Sequence, residues 1–219
     1  MTRFLRPSQV LVLAAAIGAA ALIPAVTAPD HATVSASARE NRAAFHDAMR
    51  KLWEDHIIWT RGFIVSFAHD LPDLGPTADR LYRNQDDIGD AIKPFYGDAA
   101  GEALSALLRE HIDGAAALLD AARNGTQAQV EEAYAAWVAN ANEIAAFLSA
   151  ANPRNWPLPE MQAMMQEHLS LTFAEAGARL GGNYAGDIAA YDDVHVQILQ
   201  MADMLSDGII AQFPSKFGM

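Results

Sequence analysis

Cysteine is missing from all 219 residues. Its absence excludes disulfides, thiolate metal centres, a cysteine nucleophile and a lipid anchor through cysteine. Stability therefore has to come from packing. Positive charge is also scarce: 15 Lys and Arg stand against 27 Asp and Glu, a formal net charge of −12. Such a surface repels nucleic acid and anionic lipid, so neither is expected as a partner. β-Branched residues are sparse outside a few stretches while Ala is abundant, a balance that favours helix over sheet.

Several catalytic signatures are missing too. There is no Gly-x-x-x-x-Gly-Lys loop and no Gly-x-Gly-x-x-Gly following a strand, which argues against a nucleotide enzyme. No Gly-x-Ser-x-Gly elbow and no His-Glu-x-x-His pair occurs. A di-iron bundle needs Glu-x-x-His on two helices. Only Asp192-x-x-His195 has that spacing here, with Asp in place of Glu.

What is present begins with a leader-like segment. Arg3 and Arg6 precede an uncharged run, Val10–Val26, and small residues follow at Val26-Thr27-Ala28 and Ala36-Ser37-Ala38. This has the form of a secretory signal peptide over residues 1–28, with 29–36 as a linker. An uncleaved membrane anchor is the alternative, although Pro24 interrupts the run. Without residues 1–28 the formal charge becomes −14. A periplasmic or secreted location is expected.

Turn and cap residues mark out six helices within a single domain, 37–214, with a tail at 215–219. The first is expected to open at the capping-box sequence Ser37-Ala-Arg-Glu40 and run to about Asp70. The second spans about Thr77 to Lys93-Pro94. Asp98 is expected to cap the third, Thr126 the fourth and Asn183 the sixth, with the fifth starting in Pro157–Glu160.

The chain also repeats itself. Leu52-Trp-Glu-Asp-His56 matches Leu107-Leu-Arg-Glu-His111 and Met164-Met-Gln-Glu-His168. Asn84-Gln-Asp-Asp-Ile88 aligns with Asn140-Ala-Asn-Glu-Ile144, and a looser third copy is placed near Ala202-Asp203-Met204. One helical hairpin fits each period. The expected fold is an all-α helical bundle of about six helices formed by three repeated antiparallel hairpins. It is either a six-helix bundle or a four-helix bundle with two flanking helices.

Four histidines fall on apolar stripes: His56, His111, His168 and His195. Counting residues from the turns puts Asn140 level with His111, about Asp90 opposite His56, and His195 close to His168. His168, Thr172, Glu175 and Arg179 share one face of the fifth helix, read here as inward. The expected metal ligands are His111, His168, His195, Glu175 and Asp187, holding a divalent ion. The residues expected to line a ligand site are His56, Trp59, Arg61, Asn140, Glu143, Thr172, Arg179 and Tyr191. Met161, Met164 and Met165 beside His168 invite a copper reading, but in the repeat Met164 and Met165 replace Leu107 and Leu108, as core filler would.

The segments LWEDHIIWTR at 52–61, EHLSLTFAEA at 167–176 and Asn183-Tyr-x-x-Asp187 resemble a bacterial family of small all-helical proteins found in soil bacteria and spore-formers. The resemblance covers about Leu52 to Pro214 and implies one self-contained domain. Some members carry transferase or kinase labels, which the lack of a nucleotide motif here does not support. Typical members look leaderless, unlike this chain. The resemblance implies no mechanism.

Three functions are therefore carried forward. The first is an exported binder of a metal ion or small ligand. The second is an envelope scaffold or interaction protein, partnered by another protein or by copies of itself, with structural His. The third is an enzyme using His as general base.

Overall fold

The computed structural model describes residues 31–219, with side chains from residue 36 onward. The expected leader and the first of its expected processing sites lie outside the described residues. Six helices follow one another: α1 His31–Ala68, α2 Leu74–Tyr96, α3 Asp98–Asn124, α4 Gln127–Ala151, α5 Leu158–Leu180 and α6 Tyr184–Gln212. A 3₁₀ turn, Pro214–Phe217, ends the chain. The described residues contain no strand, and none of their helices is long and apolar enough to cross a membrane.

Most helix ends are where cap chemistry predicts them. Thr126 and Gln129 form a reciprocal capping box at the start of α4. The Asn183 side chain accepts from the Gly186 amide at the start of α6. Three ends differ. α1 is already helical at His31, the first described residue, so Ser37 lies inside the helix rather than at its cap. α2 runs through Pro94 to Tyr96; the carbonyl that the proline ring crowds belongs to exposed Asp90, and the Gly97 amide still reaches Lys93 O. Gly97, at φ 87°, occupies the N-cap position of α3 and makes a one-residue connection that an L side chain would strain. Asp98 is instead the first helical residue, where its carboxylate meets the positive end of the helix dipole. The expected tail is also part of the fold, because Phe217 is buried and packs on Phe45 and Phe95.

The helices close into a ring of six. Each packs on its sequence neighbours, and α1 packs on α6. α5 also reaches α1 and α3 across the interior. Of the two arrangements expected, the ring is the one observed, rather than a four-helix bundle with flanking helices.

The repeat explains the core, which is built in layers with one residue from each hairpin. Seven residues before each repeated His stand Met49, Leu104 and Met161, and three before it stand Trp53, Leu108 and Met165, all buried. Eight after it come Ile64, Leu119 and Ala176, which form a core cluster of their own. The second helices match, with Leu81, Trp137 and Val194 in one layer and Ile88, Ile144 and Met201 in another. Each layer removes apolar surface from water, worth about 1.5–3 kcal/mol per large side chain. Only one layer in the middle departs from this chemistry.

Candidate functional site

That layer is polar. His56, His111 and His168 are all buried, at 3–4 % exposure. Ring centres lie 5.8 Å apart for His56 and His168, and 6.4 Å apart for His111 and His168. Trp137 stacks on His111 at 5.2 Å, and Trp53 meets His56 edge-on at 5.8 Å. Three hairpins thus deliver three buried imidazoles to one level of the interior.

Each ring is held by an amide 29 residues further along. Asn140 Oδ1 lies 2.9 Å from His111 Nδ1, while Asn140 Nδ2 donates to Leu107 O. Gln197 Oε1 lies 3.2 Å from His168 Nδ1, while Gln197 Nε2 donates to Met164 O. In both, the carbonyl bond fixes which way the amide faces. Nδ1 must then donate to the amide oxygen, and Nε2 keeps its lone pair. The first hairpin divides the task between two residues. Asn84 Nδ2 donates to Leu52 O, and Gln85 Nε2 lies 3.2 Å from His56 Nδ1. An amide nitrogen cannot accept, so His56 Nδ1 is the acceptor and its proton sits on Nε2, with the two Gln85 hydrogens shared among His56 Nδ1, Leu81 O and Asn84 Oδ1. Gln85 Oε1 is buried without a partner.

Among the described residues no hydrogen bond reaches Nε2 of any of the three rings. All three are held neutral. Burial pushes His111 down to about 3 and His168 down to about 4, and takes His56 well below the ordinary value, with the neighbouring imidazoles adding to the effect on His56 and His111. Among the described residues, no group of three or more His, Asp or Glu stands in metal-holding geometry as the side chains lie.

A second buried cluster lies on the same side of the layer as Thr172. Arg61 Nη1 donates to Glu175 Oε1 and Asp187 Oδ1, each at 2.7 Å, and Nη2 donates to Asp187 Oδ2 at 3.1 Å. Arg179 Nη1 adds a bond to Asp187 Oδ2 at 3.0 Å. Two cations thus balance two sealed anions. The Arg61 guanidinium also lies 4.8 Å from the centre of the Tyr191 ring. Burial pushes the Glu175 carboxyl up to about 7 against the pull of Arg61, with the charge of Asp187 adding to the rise and that of Arg179 opposing it.

The expected residues thus separate. His56, His111, His168 and Asn140 share the polar layer. Arg61, Glu175, Asp187, Arg179 and Tyr191 form the ionic cluster, so Glu175 and Asp187 are already bonded to arginine. The polar face of α5 does turn inward, with His168, Thr172 and Glu175 buried. His195 is not beside His168: its side chain is 44 % exposed and its Nε2 lies 2.9 Å from Glu54 Oε1. The inward positions of α6 are Val194, Gln197 and Ile198, and Ile188 of the expected stripe is 56 % exposed. Glu143 is exposed, and Trp59 is half-buried under Arg80, at 5.2 Å. Met161, Met164, Met165 and Met201 line an apolar chamber with Trp53 and Trp156, as core filler does.

Gln85 and Gln197 were missed. The third hairpin's counterpart of Asn140 is Gln197, ahead of the Ala202–Met204 position assigned by alignment, and the residue facing His56 is Gln85 rather than Asp90. The signal that finds them is the fixed offset of 29 residues from each His, which Asn140 already displays.

One further constellation has catalytic residue types. His46 Nδ1 lies 2.6 Å from Ser206 Oγ, and His46 Nε2 lies 3.2 Å from Asp207. Ser206 is fully buried and its hydroxyl donates to Ala202 O at 2.8 Å, so the oxygen is out of a substrate's reach.

Compared with known proteins, the chain matches no family model, no curated protein and no solved structure.

Proposed function

We propose that the protein is an extracytoplasmic binder of a divalent transition-metal ion, coordinated by Nε2 of His56, His111 and His168. The observation that carries this is three neutral imidazoles on one level, with their Nδ1 sides tied to amides and their Nε2 atoms without partners. Neutral imidazole is the ligating form, and a hydrogen bond at the far nitrogen is the usual support of a metal-bound His. Three His ligands leave a further coordination position open. Export is supported by the basic and then apolar start of the chain.

The ion would draw the layer together. Zn–N distances of about 2.0–2.1 Å in a tetrahedral site place ring centres roughly 5 Å apart. The observed 5.8 and 6.4 Å separations then close by about 1 Å. His56 also has to move its proton from Nε2 to Nδ1. Turning the Gln85 amide over would offer Oε1 to that Nδ1–H at the cost of the Nε2 bonds to Leu81 O and Asn84 Oδ1, so the support at His56 differs from that at His111 and His168.

The test is cobalt(II) titration of chelator-treated full-length chain, followed by visible ligand-field absorption and native mass spectrometry. One ion per chain is expected, displaced by zinc, with His111→Ala and His168→Ala lowering affinity at least tenfold. His46→Ala controls for the surface acids around that residue and should change nothing. If cobalt is not taken up, or uptake survives both substitutions, the metal reading fails. A His layer whose substitutions cost only folding stability is the structural alternative.

A further inference from the structure

Past the His layer, on the side of the α1–α2 turn, the core leaves a cavity of about 30 Å³. Its walls include Ile64, Ile112, Leu118, Leu119, Trp137 and Ala176. No histidine lines it, so it stands apart from the metal reading.

Two threonines face this space, four residues after their histidines, and they differ. Thr60 Oγ1 donates to His56 O at 2.8 Å, the usual way a helical threonine is satisfied. Thr172 stands at the equivalent place after His168, is 5 % exposed and lines the cavity. Its hydroxyl has no partner among the described residues. The third equivalent position is Ala115, which has no polar atom to offer. At the rim, Ala122 and Gly177 are exposed, and a Cβ built on Gly177 would meet nothing within 4 Å. Small residues thus leave an approach between α3 and α5.

The volume holds about two water molecules. Water is a poor occupant, because a buried water needs two to four polar partners and this wall offers one free hydroxyl. An apolar body with one hydrogen-bonding atom suits it better. We propose that the cavity binds a neutral molecule of roughly two or three heavy atoms, whose single acceptor takes a hydrogen bond from Thr172.

The probes are xenon, which is wholly apolar, and acetonitrile, which has three heavy atoms and one acceptor. Each is titrated into full-length protein carrying labelled Ile and Leu methyl groups, with NMR as the readout. Saturable shifts are expected at Ile64, Ile112, Leu118 and Leu119 for both probes. Thr172→Val should weaken acetonitrile about fivefold and leave xenon unchanged. Ala115→Leu, which fills the space, should abolish both, and the smaller Ala115→Val serves the same purpose if the first variant does not fold. Absence of saturable shifts with either probe overturns the proposal. So does a Thr172→Val variant that binds acetonitrile as well as the parent, or a water on Thr172 that neither probe displaces.

Discussion

A buried carboxyl bonded to Arg61 carries the clearest consequence at the scale of single residues. Glu175 titrates at about 7 in the folded chain, above its ordinary 4.5. Between those values the folded state holds the proton more tightly than the unfolded state. The stability Glu175 contributes is therefore complete below the lower value and lost as pH rises through the upper one. A shift of that size corresponds to up to about 3 kcal/mol. The buried imidazoles slope the other way, because their protons bind more tightly in the unfolded chain. The readout is thus the difference between parent and Glu175→Gln, each unfolded by denaturant at about pH 5 and about pH 8. Glu175→Gln should gain relative stability at the higher pH. An unchanged difference would show that Arg61 outweighs burial.

The polar layer was only partly legible in the sequence, and the reason lies in particular residues. His56, His111 and His168 announced themselves by recurring within similar words on apolar stripes. Asn140 followed from counting back from a turn. Gln197 did not, because the count from the turn puts His195 near His168, two residues from Gln197 and so about 200° away around the helix. Arg61 with Asp187 was equally hidden, since α1 and α6 meet only when the ring closes, and no local pattern encodes that closure.

Among elements, the α2–α3 contact is the most constrained. The two helices cross where Gly89 and Gly101 face each other. A Cβ on Gly101 would lie 2.6 Å from Gly89 O, and one on Gly89 would lie 2.5 Å from Gly101 O. Those neighbours are backbone, so the helices themselves would have to separate. Alanine's better helix propensity, worth up to about 1 kcal/mol, cannot offset that. Gly101→Ala should lower unfolding free energy by about 1–3 kcal/mol. Gly177→Ala, exposed on α5 with open space around the new methyl, should raise it by about 0.5–1 kcal/mol. Denaturant unfolding of the two variants checks both signs, and a stabilised Gly101→Ala would mean that the crossing is looser than described. The helix boundaries themselves were well marked, because Thr126, Asn183 and the Gly and Pro residues act locally. Pro94 does not end α2, because a proline in the last turn gives up one hydrogen bond and little else.

At the scale of the whole molecule, the threefold layering governs the fold. Layers of one residue per hairpin explain why Met164 and Met165 stand where Leu107 and Leu108 do, and why the His layer lies midway between apolar ones. The same arrangement brings the two ends of the domain together. Phe217 rests on Phe45, with ring centres 5.2 Å apart, and a Cβ on Gly218 would lie 3.4 Å from Ala38. A six-membered circle whose last helix packs on its first has no privileged starting point. Tethering Met219 to Ala38 and opening the chain at Gly97 should therefore yield a circular permutant with unchanged helical circular dichroism and a cooperative melt. Opening it instead between α4 and α5 should fail, because there Trp156 is buried and the Asn152 amide donates to Gly208 O. If both permutants fold equally well, the connections are interchangeable strings. If only the first does, the order in which evolution threaded the hairpins is arbitrary, while one of the links between them is architecture.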